Sequence, residues 1–331
     1  MAWNSSLGMR SIIIAGVASL SFLSLLTLNR AAQAQQWPTK PIRIIEPFPV
    51  GIARDAATRL VAEKLAVVLG QPVYVENRPG AAGRLAAQAA VSAAPDGYTF
   101  NMMGTTDILT KHLYSLPYDI ERDLAPVSMV QTTPGAVVTR ASLPVKNVAE
   151  LINYAKAKPG ELTYGSTGPG GFFHVNALLF SSITGTSFRH IPYARGNLTA
   201  DLLGGQIDII FDAVPPYIEN TKAEKLRMLA VTGEKHVIPL PDVPTFVESG
   251  IPAYDTYALA GMFAPKNTPQ AIVLKMQQAL TKILQDASLR EQWTNEGITP
   301  VPSTSDEFAV RFHNESERWG RIIRLNDIKI E

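Results

Sequence analysis

Two loops rich in glycine and proline hold the side chains of this sequence that could do chemistry. The first covers residues 46–54 and follows a short apolar run, and the second covers residues 165–171. Each leads from a predicted strand into a predicted helix, whose first backbone N–H groups have no partner within the helix. Helix N-termini of this kind bind anions. The pair of loops therefore predicts a binding site for a small anion such as a carboxylate. The alternative for each loop is a tight turn that needs glycine at positive φ.

The second loop invites comparison with catalytic and nucleotide-binding motifs. Ser166 would be the nucleophile of a serine hydrolase, but the nucleophile elbow requires glycine two residues earlier, where Tyr164 stands. The sequence positions no Asp/His pair beside it. The loop also lacks the Gly-Lys-Ser/Thr ending of a P-loop and the G-x-G-x-x-G order of a dinucleotide site. We therefore expect no catalytic residues.

Several side chains beside the loops allow two interpretations. Asp55 is an N-cap of the first helix, or it holds a ligand amino group or orders the loop. Arg54 is a solvated surface charge, or it forms a bidentate contact with a ligand carboxylate. Phe172 and Phe173 belong to the core or a lid, or they line the ligand site. His174 is expected to form hydrogen bonds at a helix start.

Composition excludes several classes of function. The 331 residues include 30 Lys and Arg, 29 Asp and Glu, and no Cys. This balance lacks the basic footprint of a nucleic-acid-binding protein, and a chain without cysteine forms no disulfides. The five histidines show no zinc-site spacing. We expect no metal, no cofactor and no nucleic-acid partner.

The first 34 residues resemble an export signal. Arg10 precedes an apolar, serine-rich stretch at 11–28, and Ala32-Gln33-Ala34 matches the small-x-small site of signal peptidase. A retained membrane anchor is the alternative, since about twenty apolar residues can span a bilayer. The serines within the stretch and the site behind it favour cleavage after Ala34. The remaining chain is then expected in the periplasm.

The rest of the chain alternates strands and helices. Apolar runs at 41–45, 73–75 and 98–103 predict strands, with a helix from Asp55 to Gly70 between the first two. A similar alternation covers residues 148–231, and two helices are expected at the C-terminal end. They begin at an N-cap Thr268 and in a capping box at 303–307. This order predicts an α/β protein with parallel βαβ units in two lobes.

A series of short motifs resembles the Bug/TctC family of extracytoplasmic solute-binding proteins of tripartite tricarboxylate transporters. The resemblance runs from about Trp37 to the C-terminus. It rests on the number and order of the motifs. They are Trp37-Pro38-x-Lys40-Pro41-Ile42-Arg43, Pro47-Phe48-Pro49-x-Gly51, Glu76-Asn77-Arg78-Pro79-Gly80-Ala81, Ala94-Pro95-Asp96-Gly97-Tyr98-Thr99, Leu116-Pro117-Tyr118-Asp119, Ile191-Pro192-Tyr193, Asp201-Leu202-Leu203-Gly204-Gly205-Gln206 and Leu240-Pro241-Asp242-Val243-Pro244-Thr245.

The resemblance implies a two-lobed periplasmic-binding-protein fold (type II-like) with the ligand cleft between lobes that close by hinge motion. Residues 35–132 and 259–331 would form the first lobe and 133–258 the second. The implied partners are a small carboxylate ligand and the membrane subunits of a tripartite tricarboxylate transporter. A sensor kinase without transport is the alternative, and a monomer is expected.

The resemblance also implies that the two loops hold a ligand carboxylate through backbone N–H groups, hydroxyls and water. Together with Asp212, which directly follows a buried strand, the predicted ligand-binding set is Phe48, Gly51, Ile52, Ala53, Arg54, Asp55, Thr105, Ser166, Thr167, Gly168, Phe172, Phe173, His174, Tyr193 and Asp212.

The sequence departs from the family pattern at both loops. Family members usually carry several Gly and a Thr where this chain has residues 51–54, and small hydroxyl residues near Phe172 and Phe173. After Pro192-Tyr193 a basic residue and Gly are common, whereas residues 194–197 differ here. We therefore expect a carboxylate with an apolar or aromatic body, or a dicarboxylate whose second charge meets Arg54.

Overall fold

The computed structural model describes residues 37–166, 168–193 and 197–330. The predicted export segment and Thr167 therefore lie outside the described residues. None of the helices in the described part combines the length and apolar character that crossing a membrane requires.

Strands and helices alternate along most of the chain, as the sequence predicted. The strands are β1 Ile42–Glu46, β2 Val73–Asn77, β3 Thr99–Gly104, β4 Leu124–Arg140, β5 Thr163–Ser166, β6 Arg189–Pro192, β7 Ile209–Ala213, β8 Leu226–Val231, β9 Tyr257–Pro265 and β10 Thr299–Pro300. The helices are α1 Ala53–Leu69, α2 Arg84–Val91, α3 Thr105–Leu113, α4 Ile120–Asp123, α5 Val148–Ala157, α6 Phe172–Thr184, α7 Leu198–Leu203, α8 Ile218–Lys222, α9 Gln270–Leu284, α10 Ala287–Asn295 and α11 Ser305–Leu325.

The first lobe is built on parallel βαβ units. Its strands lie in the order β2-β1-β3-β9-β4, with β1, β2 and β3 parallel and β9 antiparallel to β3. Helix α1 crosses from β1 to β2 and ends at Gly70, which adopts the left-handed conformation of a C-terminal cap. The carboxyl ends of the three parallel strands consequently meet at one edge of the sheet.

The second lobe repeats this arrangement. Strand β5 pairs in parallel with β6 and β7, and β7 and β8 pair antiparallel with the second half of β4. Helix α6 follows β5 as α1 follows β1. The predicted two-lobed α/β fold is thus confirmed.

Strand β4 belongs to both sheets. Its first part pairs with β9 as far as Pro134, opposite Tyr257, and from Gly135 onward it pairs with β7. The two lobes are therefore joined along one continuous strand and the start of β9.

Helix α11 returns to the junction between the lobes. It begins with the predicted capping box, in which the side chain of Thr304 accepts from the N–H of Glu307. Trp319 is fully buried and contacts Phe172 of α6 edge-on, with ring centroids 5.7 Å apart. The side chains of Ser182 and Asn326 also form a 2.9 Å hydrogen bond between these two helices.

Two predictions for the C-terminal end were wrong. Three helices stand there instead of two, because α10 buries only Leu289 and Trp293 and so carries little periodic signal. Pro269, not Thr268, is the N-cap of α9, since the hydroxyl of Thr268 donates to the carbonyl of Pro265 instead.

Candidate functional site

The two helices that follow the glycine-rich loops begin without a side-chain cap. The N-cap residues are Ile52 for α1 and Gly171 for α6, and neither provides a side-chain acceptor for the first turn. Five other helices have such a cap, from Asp119, Asn147, Asn197, Asp286 and Thr304. Helices α2, α3, α8 and α9 also start without a side-chain cap. Among the described helices, only α1 and α6 start at matching positions in the two lobes, directly after the first strand of a βαβ unit.

The missing caps leave backbone donors available at both loops. The first backbone bonds within these helices run from the N–H of Ala56 to Ile52 and from the N–H of Val175 to Gly171. The three N–H groups before each of these donors are the ones that a helix cannot satisfy internally. Together with the helix dipole they favour a bound anion.

Asp55 orders the first loop. It lies inside the first turn of α1, so its predicted role as N-cap was wrong. One carboxylate oxygen accepts from the N–H of Gly51 at 2.9 Å and from Arg59 at 3.0 Å, and the other accepts from Asn77 at 2.7 Å. Burial alone would raise the pKa of Asp55, but these hydrogen bonds hold it below its ordinary value. The loop-ordering alternative is the one that the contacts support.

Asn77 completes this arrangement from β2. Its amide donates to the carbonyl of Phe48 at 2.9 Å as well as to Asp55. The first loop is consequently tied to the neighbouring strand at both of these residues.

Arg54 does not extend into solvent. Its side chain is 16% exposed, and its Nε lies 3.8 Å from Oε2 of Glu46 at the end of β1. Nη2 donates to the carbonyl of Met103 at 3.4 Å, and the guanidinium lies 5.7 Å from the ring centroid of Phe48. The solvated-surface interpretation of Arg54 was wrong.

Glu46 and Asp107 are buried charged residues that the sequence analysis missed. Glu46 is fully buried, and Thr58 donates to its Oε2 at 2.6 Å. Asp107 is 4% exposed, and Oδ2 accepts from the N–H of Gly104 at 2.8 Å. A signal for Glu46 was present, because a charged residue directly follows the apolar pair Ile44-Ile45 at the end of β1.

The second loop is backed by stacked aromatic rings. His174 lies 4.2 Å from His190 and His190 lies 4.8 Å from Tyr164, measured between ring centroids. Nδ1 of His174 accepts from the N–H of Gly170 at 3.1 Å, which confirms the hydrogen bond expected at this helix start. Burial, aided by His190, lowers the pKa of His174 to about 4.

His190 also contacts Ser166, a contact that the sequence analysis did not find. Nε2 of His190 and Oγ of Ser166 are 2.7 Å apart. Parallel pairing of β5 with β6 places Tyr164 opposite His190, and this register brings the imidazole to the end of β5. Ser166 also accepts from the N–H of Gly168 at 3.2 Å, so its hydroxyl helps to shape the loop.

The two phenylalanines of α6 have different surroundings. Phe172 is buried against Trp319, as its core interpretation requires. Phe173 is half-buried, and a Cβ built on Gly135 would lie 3.6 Å from its ring. Phe173 is thus the member of the pair that lies at the strand joining the lobes.

Three further predicted residues make internal hydrogen bonds. The hydroxyl of Thr105 accepts from the N–H of Leu259 at 2.9 Å, and the hydroxyl of Tyr193 donates to Asp201 at 2.6 Å. Asp212 accepts from the buried Tyr217 at 2.8 Å, and burial raises its pKa to about 6. These contacts give each residue a structural partner.

Comparisons with known proteins agree with this architecture. The family model described as tripartite tricarboxylate transporter family receptor, TctC, matches residues 57–328. Protein BugT of Bordetella pertussis is 32% identical over 314 residues, which cover 94% of this chain and 96% of BugT.

Two solved structures have the same fold. One, described as a periplasmic transporter, is 33% identical with a TM-score of 0.85 and covers 88% of this chain and 99% of its own. The other, Rpa4515 of R. palustris with adipate, is 30% identical with a TM-score of 0.84 and covers 89% of this chain and 99% of its own. The chain belongs to the TctC family of periplasmic solute-binding proteins, the receptors of tripartite tricarboxylate transporters.

Proposed function

We propose that this protein captures a small carboxylate between its two lobes and delivers it to the membrane subunits of a tripartite tricarboxylate transporter. The observation that carries the proposal is the pair of uncapped helix N-termini, α1 and α6, at matching positions in the two lobes. Each offers backbone donors and a favourable dipole to an anion. The relative solved with adipate supports a carboxylate as the ligand class.

The proposed capture proceeds by hinge closure. Residues 35–132 and 259–331 would move against residues 133–258, with the hinge in β4 and β9. Strand β4 changes partners between Pro134 and Gly135, which supports a hinge at this point. As ligand-binding residues we propose those members of the set predicted from the sequence that lie in the two loops.

The place of action proposed for the protein is the periplasm, after export and cleavage behind Ala34. The periplasmic class of its relatives supports this location. N-terminal sequencing of the exported protein tests the cleavage site, and an N-terminus that retains residues 11–28 would contradict it.

Ala53→Pro tests the backbone donors directly. Ala53 is the first residue of α1 and follows an extended Ile52, so proline fits there and removes only one N–H. We expect a carboxylate found by thermal-shift screening to bind about 10- to 100-fold more weakly, as the loss of a charge-assisted hydrogen bond implies. Isothermal titration calorimetry measures this change.

Ala287→Pro is the matched control. Ala287 is the first residue of α10 and also follows an extended residue, Asp286. Ala287→Pro should leave the affinity for the carboxylate unchanged. Equal affinity in both variants would argue against the α1 site. If no carboxylate raises the melting temperature, while an ester is hydrolysed with dependence on Ser166, the binding function itself fails.

Gly170→Ala tests closure at the point where the lobes touch. A Cβ on Gly170 would lie 2.6 Å from the hydroxyl of Tyr114, at the end of α3, and φ is +75°. We expect a loss of stability of about 1–2 kcal/mol from the backbone conformation. We also expect weaker carboxylate binding, because the lobes cannot approach as closely.

Gly160→Ala separates these two effects. Gly160 has φ of +73° and nothing within 4 Å of its Cβ position, so it carries the backbone cost alone. Calorimetry should show weaker binding for Gly170→Ala only. Matching affinities would show that this contact does not govern closure.

A further inference from the structure

A buried charged network lies directly beneath the first loop. It consists of Glu46 at the end of β1, Arg54 in the first turn of α1 and Asp107 in the first turn of α3. Gly83 lies between the first loop and Asp107. A Cβ built on it would lie 3.3 Å from Pro47 in the loop and 3.4 Å from Oδ1 of Asp107. The network thus borders the donors of α1 that the proposed function assigns to the ligand.

Each carboxyl of the network is held by a neutral donor as well as by charge. Thr58 donates to Glu46 and the N–H of Gly104 donates to Asp107. Arg54 completes the network through its 3.8 Å approach to Glu46. Arg54 is the basic group that favours the charged form of both carboxyls.

The network compensates the charge of Arg54 internally. A guanidinium stays protonated in proteins, and a buried cation needs a counter-charge. Two carboxyls share this single cation, and burial raises the pKa of Glu46 and raises that of Asp107 to about 7. Like charges that share one site do not both ionise freely. Arg54 therefore has its counter-charge within the protein, from Glu46 at 3.8 Å and from Asp107.

Arg54 also retains hydrogen-bonding capacity. Among the described residues, neither its Nε nor Oε1 of Glu46 has a hydrogen-bond partner. The unpaired Nε–H of Arg54 is a donor from which a second ligand carboxylate would accept. The resident carboxyls oppose it, because a further negative charge would meet Glu46 or Asp107 at short range.

We propose that Glu46 masks Arg54, so that the site selects a monocarboxylate with an uncharged body over a dicarboxylate of the same length. Glu46 acts as a positioning residue, since it is fully buried and reaches the ligand only through Arg54. The inference rests on the proposed function and specifies its ligand class. The proposed ligand class, a monocarboxylate, differs from adipate, the dicarboxylate in the structure of the 30% identical relative.

Glu46→Gln tests the masking. The amide keeps the size of the side chain and an acceptor for Thr58, but it removes the charge that compensates Arg54. The affinities to compare are those of hexanoate and adipate, followed by other straight-chain mono- and dicarboxylate pairs of equal length, by calorimetry at constant salt. We expect the wild type to favour the monocarboxylate about tenfold or more, and Glu46→Gln to shift this ratio toward the dicarboxylate by about tenfold.

Glu63→Gln is the control, because Glu63 is an exposed carboxylate on α1, the helix that carries Arg54. It makes the same change in net charge and should leave the ratio unchanged. If Glu46→Gln does not fold, Asp107→Asn removes the other carboxyl and should move the ratio in the same direction.

Three outcomes would overturn the inference. Preference of the wild type for the dicarboxylate contradicts it while leaving the proposed function intact. An unchanged ratio in the folded variant does the same. Absence of binding across the whole acid series contradicts the proposed function, and the inference falls with it.

Discussion

Replacing Arg54 by Met is expected to lower the free energy of unfolding by about 3 kcal/mol at pH 7. The substitution leaves Glu46 fully buried without its cation, so the carboxyl must take up a proton to stay folded. Breaking a buried ion pair by removing one partner costs about 3 kcal/mol or more. Burial already raises the pKa of Glu46 in the wild type, and the loss of Arg54 removes the charge that opposes this rise. Because the folded pKa then lies further above the unfolded value, the loss should grow as the pH rises above 4.5. Urea unfolding across this pH range measures it.

A double-mutant cycle identifies the cause of this loss. Glu46→Gln removes the charge that Arg54→Met leaves unpaired, so the double variant should recover most of the lost stability. Its stability should also depend less on pH than that of Arg54→Met. A double variant as unstable as Arg54→Met would show that Arg54 contributes through its packing on Phe48 instead.

Acidification from pH 6.5 to pH 4 is expected to destabilise the protein by about 2–3 kcal/mol through His174. This side chain is 6% exposed, and burial lowers its pKa to about 4 from 6.5. The unfolded chain therefore binds a proton in this window that the folded chain does not, and stability falls as the pH falls. Protonation would also abolish the acceptor for the N–H of Gly170 and place a charge beside His190.

His174→Asn should remove much of this pH dependence. Asparagine offers an oxygen acceptor for Gly170 but does not titrate, and unfolding experiments at several pH values compare it with the wild type. His313→Asn is the control, since His313 is exposed and lies against Glu121 on the outside of α11. Parallel stability curves for the wild type and His174→Asn would contradict the role of this imidazole.

Local sequence determined most of the element order. Strands β1 and β3 lie where the apolar runs at 41–45 and 98–103 predicted them, and α11 begins in the predicted capping box. Such features act within a few residues, so they can be read without knowledge of the fold. The uncapped start of α1 was not predicted in this way, because Asp55 was a candidate N-cap and Ile52 occupies that position in the structure.

Contacts between distant parts of the chain depended on the tertiary structure. Asp55 was identified from the sequence, but its partner Asn77 arrives only because β1 and β2 pair in parallel. The contact between Ser166 and His190 likewise depends on the register of β5 with β6. No local pattern specifies which strand lies beside which.

The sequence by itself determined that two strand–loop–helix units present backbone donors, because the glycine and proline residues that form these loops act locally. Only the tertiary structure decided what Arg54 does. Its environment comes from the ends of β1 and β3 and the start of α3, which supply Glu46, Met103 and Asp107. The charge that a ligand meets there is the sum over all of these groups, because electrostatic interactions act across space irrespective of sequence separation.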